Sequence, residues 1–253
     1  MTDAASGFCA AAAAAAHVFV DEPGLHGDEP LWIEGDDGHH LQRVRRLRVG
    51  EAVTASDGRG MWRAYVVAEL GERRVRLTAN GVITCEPELY PRLAVAFAPP
   101  KGDAAATLVH QLTELGVDRI LPVETRRSVV RWDAARAERA TARFCRVARE
   151  AAMQCRRARL PDVVRPGALA ALTGHPAVLV ACRDGAPVAS ISPPTGGEWL
   201  VLIGPEGGLE PSEVDGLLPH SRLAVGPYVL RSVTAPVAIA AALAAFRRPK
   251  TAG

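Results

Sequence analysis

The sequence predicts a two-part protein: a small all-β domain of barrel type, followed by a larger α/β domain on a mostly parallel sheet. Residues 17–85 carry short strand-like runs and turn signals, with no long helical period. From residue 92 onward, apolar runs of strand length alternate with segments of helical period, the pattern of a parallel sheet with crossover helices. Between the two lies "CEPELYPR", 85–92, whose two prolines mark a linker. The expected domains are therefore 17–86 and 92–249, preceded by an extension over 1–16.

Taken in order, the extension is an Ala-rich stretch, disordered or helical. Asp3 stands where a signal peptide needs positive charge. "EAVTASDG" and "MWRAYVVAEL" flank Asp57-Gly58-Arg59-Gly60, a hairpin signal, and "RRVRLTANGVI" supplies a further strand. In the second part "RLAVAFA" is a strand. Ala105, Leu108, Leu112 and Leu115 follow at helical spacing, and Gly116 is placed to end that helix. "VDRILPV" is the next strand, and an Arg-rich helix covers roughly 133–158. Strands over 177–181 and 199–203, a helix from about 211, a strand near 222–225 and a helix over 235–246 complete the pattern.

Composition narrows the class. At 253 residues, 48% apolar and 23% charged, the chain is an ordinary globular protein with room for a sizeable core. A net charge of +2 does not announce a nucleic-acid partner, but the basic residues are 28 Arg against Lys101 and Lys250 alone, and the Arg cluster. Five scattered cysteines without a Cys-x-x-Cys pair argue against a disulfide framework and against zinc, and point to a cytoplasmic setting. No run reaches the ~18 apolar residues of a membrane span.

The functional question centres on "EWLVLIGPEGGLEPSE", 198–213. A buried strand runs into Gly204-Pro205-Glu206-Gly207-Gly208 and then into a helix start. In an α/β protein ligands bind at the carboxyl ends of strands. The loop lacks the Gly-Lys-Ser/Thr of a phosphate loop and the Gly-x-Gly-x-x-Gly of a dinucleotide site. Glu206 would repel a phosphate and tolerate a cation such as the sulfonium of S-adenosylmethionine. The glycines would let backbone groups approach an adenine. Alone, the loop fits a tight strand-to-helix turn equally well. A second segment, "AVGPYVLRSVTAP", 224–236, again runs from a strand through Gly-Pro into a polar-basic stretch, and could line the same pocket.

These two loops together resemble the signature of the SPOUT-class RNA methyltransferases. "PKGD", "LTELGVDRILPVETRRSVVRW", "REAAMQCRRARLPDV" and "HHLQRVRRLRVGEAV" narrow the resemblance to the RsmE family, over about residues 17–247. The resemblance implies a PUA-like β-barrel joined to a SPOUT α/β domain with a trefoil knot, and a homodimer with the donor pocket near its interface. It also implies methylation of uridine N3 in small-subunit ribosomal RNA, naked or within the assembled 30S subunit, with S-adenosylmethionine as donor and no metal. Two departures stand out. Many family members have Lys where Gln111 stands and Glu where Val233 stands, so a base from that second position is missing.

On that reading the donor is held by Ile203, Gly204, Pro205, Gly207 and Gly208 of the first loop. Val225, Gly226 and Leu230 of the second join them, with the Thr234 hydroxyl in support. Uracil N3 must lose its proton, and charge then develops on O2 and O4. An Arg fork suits those oxygens, so Arg231 is the first catalytic candidate and Arg157 the second. A structural salt bridge is the competing role for Arg231. Glu206 is the only acid in either loop, as base, sulfonium partner or loop support. For RNA, residues 131–159 hold nine Arg and three acids. Arg136, Arg139, Arg143, Arg146 and Arg149 fall on one helical stripe, to be weighed against a merely solvated face. Arg43, Arg45, Arg46 and Arg48, after His39 and His40, form a second cluster in the barrel. Two rival readings share part of this pattern: a ribose 2′-O methyltransferase of the same class, and a non-catalytic RNA-binding assembly protein.

Overall fold

A computed structural model describes residues 14–27, 29–194, 197–217 and 220–250. The described residues up to Glu88, with Ala152–Leu160, form one unit, and those of Leu89–Ala151 and from Pro161 onward form another.

The first unit is built on β1 (Ala16–Phe19), β2 (Leu31–Ile33), β3 (Ala52–Ser56), β4 (Met61–Gly71), β5 (Arg74–Ala79) and β6 (Thr84–Cys85). Their order is β1-β3-β4-β5-β2, with β6 on β4, and every pairing but β1 with β3 is antiparallel. The expected hairpin turn joins β3 to β4. Gly58 and Gly60 take φ of 76° and 111°, which L side chains resist, and Asp57 Oδ1 accepts the Arg59 and Met61 N–H groups at 2.7 and 3.1 Å. Val53, Ala55, Tyr65, Val67, Val75 and Leu77 fill its core. Thr54 and Ser56 point the other way and are also buried, their hydroxyls meeting His17 Nδ1 and Nε2 at 2.8 and 2.9 Å.

Three sequence expectations change here. The sequence predicts an extension over 1–16, yet Ala14 and Ala16 are buried and β1 begins at Ala16; residues 1–13 lie outside those described. The stretch 17–85 is not purely β. It contains α1 (Glu22–His26) and α2 (Gly35–His39), the latter continued by a wider π-type turn over His40–Val44. Segments of five residues are too short to show a helical period. Finally, the second domain is not one continuous stretch, because Ala152–Leu160 belongs with the first unit. Arg159 explains the attachment: its guanidinium donates to the carbonyls of Arg59 and Glu86, while the Leu160 N–H bonds the Gly58 carbonyl at 2.8 Å.

The second unit contains β7 (Leu89–Tyr90), β8 (Arg92–Phe97), α3 (Ala104–Glu114), β9 (Arg119–Glu124) and α4 (Ala134–Cys155). After these come β10 (Asp162–Val163), β11 (Gly167–Ala168), β12 (Val178–Pro187), β13 (Glu198–Ile203), α5 (Pro211–Asp215), β14 (His220–Ala224), α6 (Ala235–Ala244) and β15 (Arg248–Pro249). The main sheet runs β10-β9-β8-β13-β12-β14, with β11 on β9, and all of its pairings are parallel. Its strands read as continuous apolar runs because both faces are covered. Leu93, Val95, Trp199 and Val201 pack with α3, α4 and α6, while Ala94, Ala96, Leu200 and Leu202 pack with Leu172 and Leu217 on the other face. The Arg-rich helix ends at Cys155, short of the expected 158. The end of α6 is anchored by buried Arg247, whose guanidinium pairs with Asp118 and donates to the Pro91 and Gly116 carbonyls at 2.7 Å each.

Candidate active site

β12, β13 and β14 are parallel neighbours, so their carboxyl ends open on one side of the sheet. There the loops after β13 and β14 and the start of α6 enclose a cleft of about 320 Å³. Its floor is apolar, from Val180, Ile203, Leu223 and Ile239, and its rim carries Glu206, Ser232, Arg183 and Arg222. The size and the mix of apolar floor with a few polar groups suit a nucleoside-sized ligand.

The loop after β13 is built from its glycines. A Cβ on Gly204 would stand 3.0 Å from Leu209 Cγ, so the loop closes on itself at that point. Gly208 has φ of +72° with open space where a Cβ would be, and its N–H bonds the Pro205 carbonyl at 2.8 Å. The glycine is therefore required by backbone conformation. Leu209 then leads into α5, where the Glu213 carboxylate accepts the Glu210 N–H at 3.0 Å, closing the first turn of that helix.

The two loops are tied together. The Ser232 hydroxyl donates to the Glu206 carboxylate, and Ser232 is buried. That bond is the largest influence holding the Glu206 carboxyl below its ordinary range; a bond to its own backbone N–H and the positive charge of Lys101 act in the same direction. A carboxylate so stabilised is a weaker proton acceptor, so the arrangement favours loop support over general base. On the far rim, Arg222 pairs with Asp184 at 2.9 Å. Burial, more than the nearby Asp184, pushes the Cys182 thiol up from its ordinary value.

Of the residues singled out in the sequence, Ile203, Gly204, Pro205, Glu206, Gly208, Val225, Gly226 and Leu230 all line this cleft. Three do not. Gly207 faces away, its carbonyl accepting Arg127 Nη1 at 2.6 Å. Thr234 is exposed and caps the start of α6 without a side-chain bond to its first turn. Arg231 lies outside the lining with an exposed guanidinium, which makes no hydrogen bond or ion pair with the described residues. The salt-bridge role for Arg231 thus has no partner among them. Arg157 is half-buried and belongs to the first unit.

Ser232 and Arg183 in the cleft, Lys101 beside Glu206 and Arg127 on Gly207 carry no signal in the sequence. Ser232 follows Arg231 directly, and Lys101 is one of only two lysines. Neither fact shows a side-chain direction, which only the fold supplies.

The basic stripe on α4 is present. Ala137, Phe144, Ala148 and Ala151 are buried, while Arg136, Arg139, Arg143 and Arg146 face outward. Arg136 pairs with Asp133, Arg143 with Asp103 and Arg146 with Glu150, all at exposed positions where ion pairs contribute little and exchange readily. In the first unit Arg43, Arg45, Arg46 and Arg48 are exposed; Arg45 bonds the Ala15 carbonyl at 3.0 Å.

A family model described as an RNA methyltransferase domain matches residues 87–244, and one described as an RNA methyltransferase PUA domain matches residues 33–79. The chain is 33% identical over 218 residues to the ribosomal RNA small subunit methyltransferase E of Mycobacterium bovis, covering 80% of this chain and 81% of that protein. It is 27% identical to the protein of the same name from Bacillus subtilis, covering 81% of this chain and 86% of the relative. Among solved structures it is similar to a ribosomal RNA small subunit methyltransferase E from Neisseria gonorrhoeae bound to S-adenosyl methionine, with a TM-score of 0.81. That match has 24% identity and covers 91% of this chain and 97% of the other, a likeness of fold.

Proposed function

We propose, for a chain that belongs to the ribosomal RNA small subunit methyltransferase E family, that it methylates N3 of a uridine in small-subunit ribosomal RNA. It is an S-adenosylmethionine-dependent rRNA methyltransferase. The observation that carries the site assignment is the cleft at the ends of β12, β13 and β14, lined by both glycine loops.

The cleft fits the donor. Its apolar floor suits an adenine, and exposed backbone at Gly208 and Gly226, where a Cβ would meet nothing within 4 Å, leaves room for close approach. Glu206 keeps a negative charge on the rim, which favours a cationic ligand. Bound there, S-adenosylmethionine supplies a methyl group already activated by the sulfonium. Ile203, Gly204, Pro205, Gly208, Val225, Gly226 and Leu230 hold the donor, and Glu206 with Ser232 keeps the two loops in register.

The chain's other task is to take the uracil to its anion. As N3 gives up its proton to solvent water, which the exposed loop after β14 admits, charge spreads onto O2 and O4, and Arg231 can donate two bonds to one of these oxygens. Its unengaged guanidinium supports that role. Arg157 is the second candidate. The outward Arg face of α4 and the cluster Arg43, Arg45 and Arg46 contact RNA phosphates, and the exposed ion pairs of α4 yield to them.

The finer architecture is part of the same reading. The first unit is a PUA-like barrel, and the second carries a trefoil knot; the insertion of β13 between β8 and β12 supports that threading. The enzyme acts as a homodimer in the cytoplasm, on ribosomal RNA or the assembled 30S subunit. Exposed Tyr228 and Val229 on the second loop support a dimer contact. Among the described residues, no helix is long and apolar enough to cross a membrane.

Incubation with methyl-labelled donor and unmodified small subunits, followed by nucleoside analysis, tests the reading. Label in 3-methyluridine is expected. Label in a 2′-O-methylated ribose, or none, rejects it.

A further inference from the structure

The loop between β9 and α4, residues 125–133, is not part of the cleft, yet it reaches the loop after β13. Arg127 Nη1 donates to the Gly207 carbonyl at 2.6 Å, and its Nε lies 3.8 Å from Glu210 Oε1. Arg126 adds two contacts. Its N–H bonds Glu213 Oε1 at 2.8 Å, and its guanidinium lies 3.3 Å from Glu210 Oε2. This bracing loop is itself held by internal bonds. The Thr125 N–H and hydroxyl meet the buried Ser128 hydroxyl at 2.9 and 3.0 Å, and Arg131 Nη2 donates to the Arg126 carbonyl at 2.8 Å.

The consequence lies in one peptide plane. The peptide joining Gly207 to Gly208 has its carbonyl held by Arg127 and its N–H held by the Pro205 carbonyl. Two flanking glycines, one at φ of +72°, leave that plane free to rotate if either bond is lost. Its rotation would move Gly208 and Leu209, both of which line the cleft. On the other flank, Ser232 holds Glu206. The loop is thus clamped from both sides, and only the Ser232 clamp comes from within the cleft.

We propose that Arg127 is a positioning residue, which fixes the Gly207–Gly208 peptide and so pre-forms the donor site from outside it. The proposal rests on the assignment of this cleft to the donor. Arg127 is half exposed, so its removal costs little stability; the effect falls on ligand binding, where an unordered loop must be ordered. Because α4 starts where the bracing loop ends, a residue linking that loop to the cleft also joins the basic helix to the donor site.

The test compares wild type with Arg127→Ala and Arg127→Lys. Calorimetry with S-adenosylhomocysteine reads donor-site affinity, and single-turnover methylation at saturating donor reads the transfer step. Arg127→Ala should weaken binding about tenfold, as loss of a charge-assisted bond does. The saturated rate and melting temperature should stay near wild type. Arg127→Lys should restore most of the affinity, since an ammonium can still donate to the carbonyl. Unchanged affinity in Arg127→Ala overturns the proposal, as does a saturated rate that falls with the affinity. Amide exchange of Gly208, measured without ligand, provides a separate reading. It should quicken about tenfold in Arg127→Ala, and equal exchange also overturns the clamp. If wild type binds no S-adenosylhomocysteine, the donor assignment fails, while the exchange result still decides whether Arg127 holds the peptide.

Discussion

The two loops that form the cleft differ in how they are held. The loop after β13 is clamped by Ser232, by Arg127 and by its own Gly208–Pro205 bond, with Leu209 folded back over Gly204. The loop after β14 is open. Tyr228 is 80% exposed and Val229 78%, and Arg231 has no side-chain partner among the described residues. One loop is pre-formed and the other presents unspent contacts. Under the proposed function the difference separates two tasks: binding gains from a site that needs no ordering, whereas transition-state stabilisation needs a donor that becomes engaged only when charge develops.

The largest effect expected from this contrast falls on the open loop. Arg231→Ala should slow methyl transfer by ~10²–10³ with donor and RNA saturating, the usual loss for one charge-stabilising donor. Donor affinity and melting temperature should hold, because the Arg231 side chain braces nothing among the described residues, and the bonds its carbonyl accepts from the Thr234 and Ala235 N–H groups survive the substitution. Arg231→Lys should recover little, since a point charge cannot reproduce the fork. A normal single-turnover rate would remove Arg231 from catalysis and leave the open loop without its assigned task.

A smaller effect is expected on the clamped loop. A Cβ at Gly208 meets no atom within 4 Å, so substitution there tests chiefly conformation. Gly208→Val imposes a left-handed conformation on a β-branched residue, at about 1–2 kcal/mol, or about tenfold in donor affinity. Gly208→Asn should cost much less, because Asn tolerates that region. Equal losses from Val and Asn in calorimetry would show that the glycine is needed for space against the ligand instead.

What the sequence reveals and what it hides follow the same division. The glycine loops, the hairpin at Asp57–Gly60 and the strand–helix alternation are local patterns, and each could be read from neighbouring residues. Eight of the expected cleft residues were legible because strand ends in a parallel sheet predict where a pocket forms. The clamps were not legible. Ser232 meets Glu206 across 26 residues and Arg127 meets Gly207 across 80, and no periodicity links such pairs. The attachment of Ala152–Leu160 to the first unit was hidden for the opposite reason, because the helical period of α4 runs on across the boundary. Two-residue strands such as β10 and β11 carry no pattern at all.

The smallest effect concerns the tie between the loops and sets how far the clamped loop depends on the open one. Glu206→Gln keeps an oxygen that can accept the Ser232 hydroxyl but replaces a charge-assisted bond with a neutral one. Because Glu206 is largely exposed, solvent screens most of that difference, and a loss of about threefold in donor affinity is expected. Ser232→Ala should weaken binding comparably. The double variant should be no worse than either single one, since both remove the same bond. The pH dependence has a definite sign. The Glu206 carboxyl is held below its ordinary value, first by Ser232, so the tie is fully present above the ordinary Glu range of about 4.3. It is lost only as pH falls through the lower folded value. Wild-type donor affinity should therefore show no Glu206 titration between about pH 6 and 8. If affinity falls with a midpoint in that window in wild type, and Glu206→Gln abolishes the fall, the carboxyl is a proton acceptor at working pH. Glu206 then returns to the catalytic candidates, and the clamped loop is chemical as well as structural.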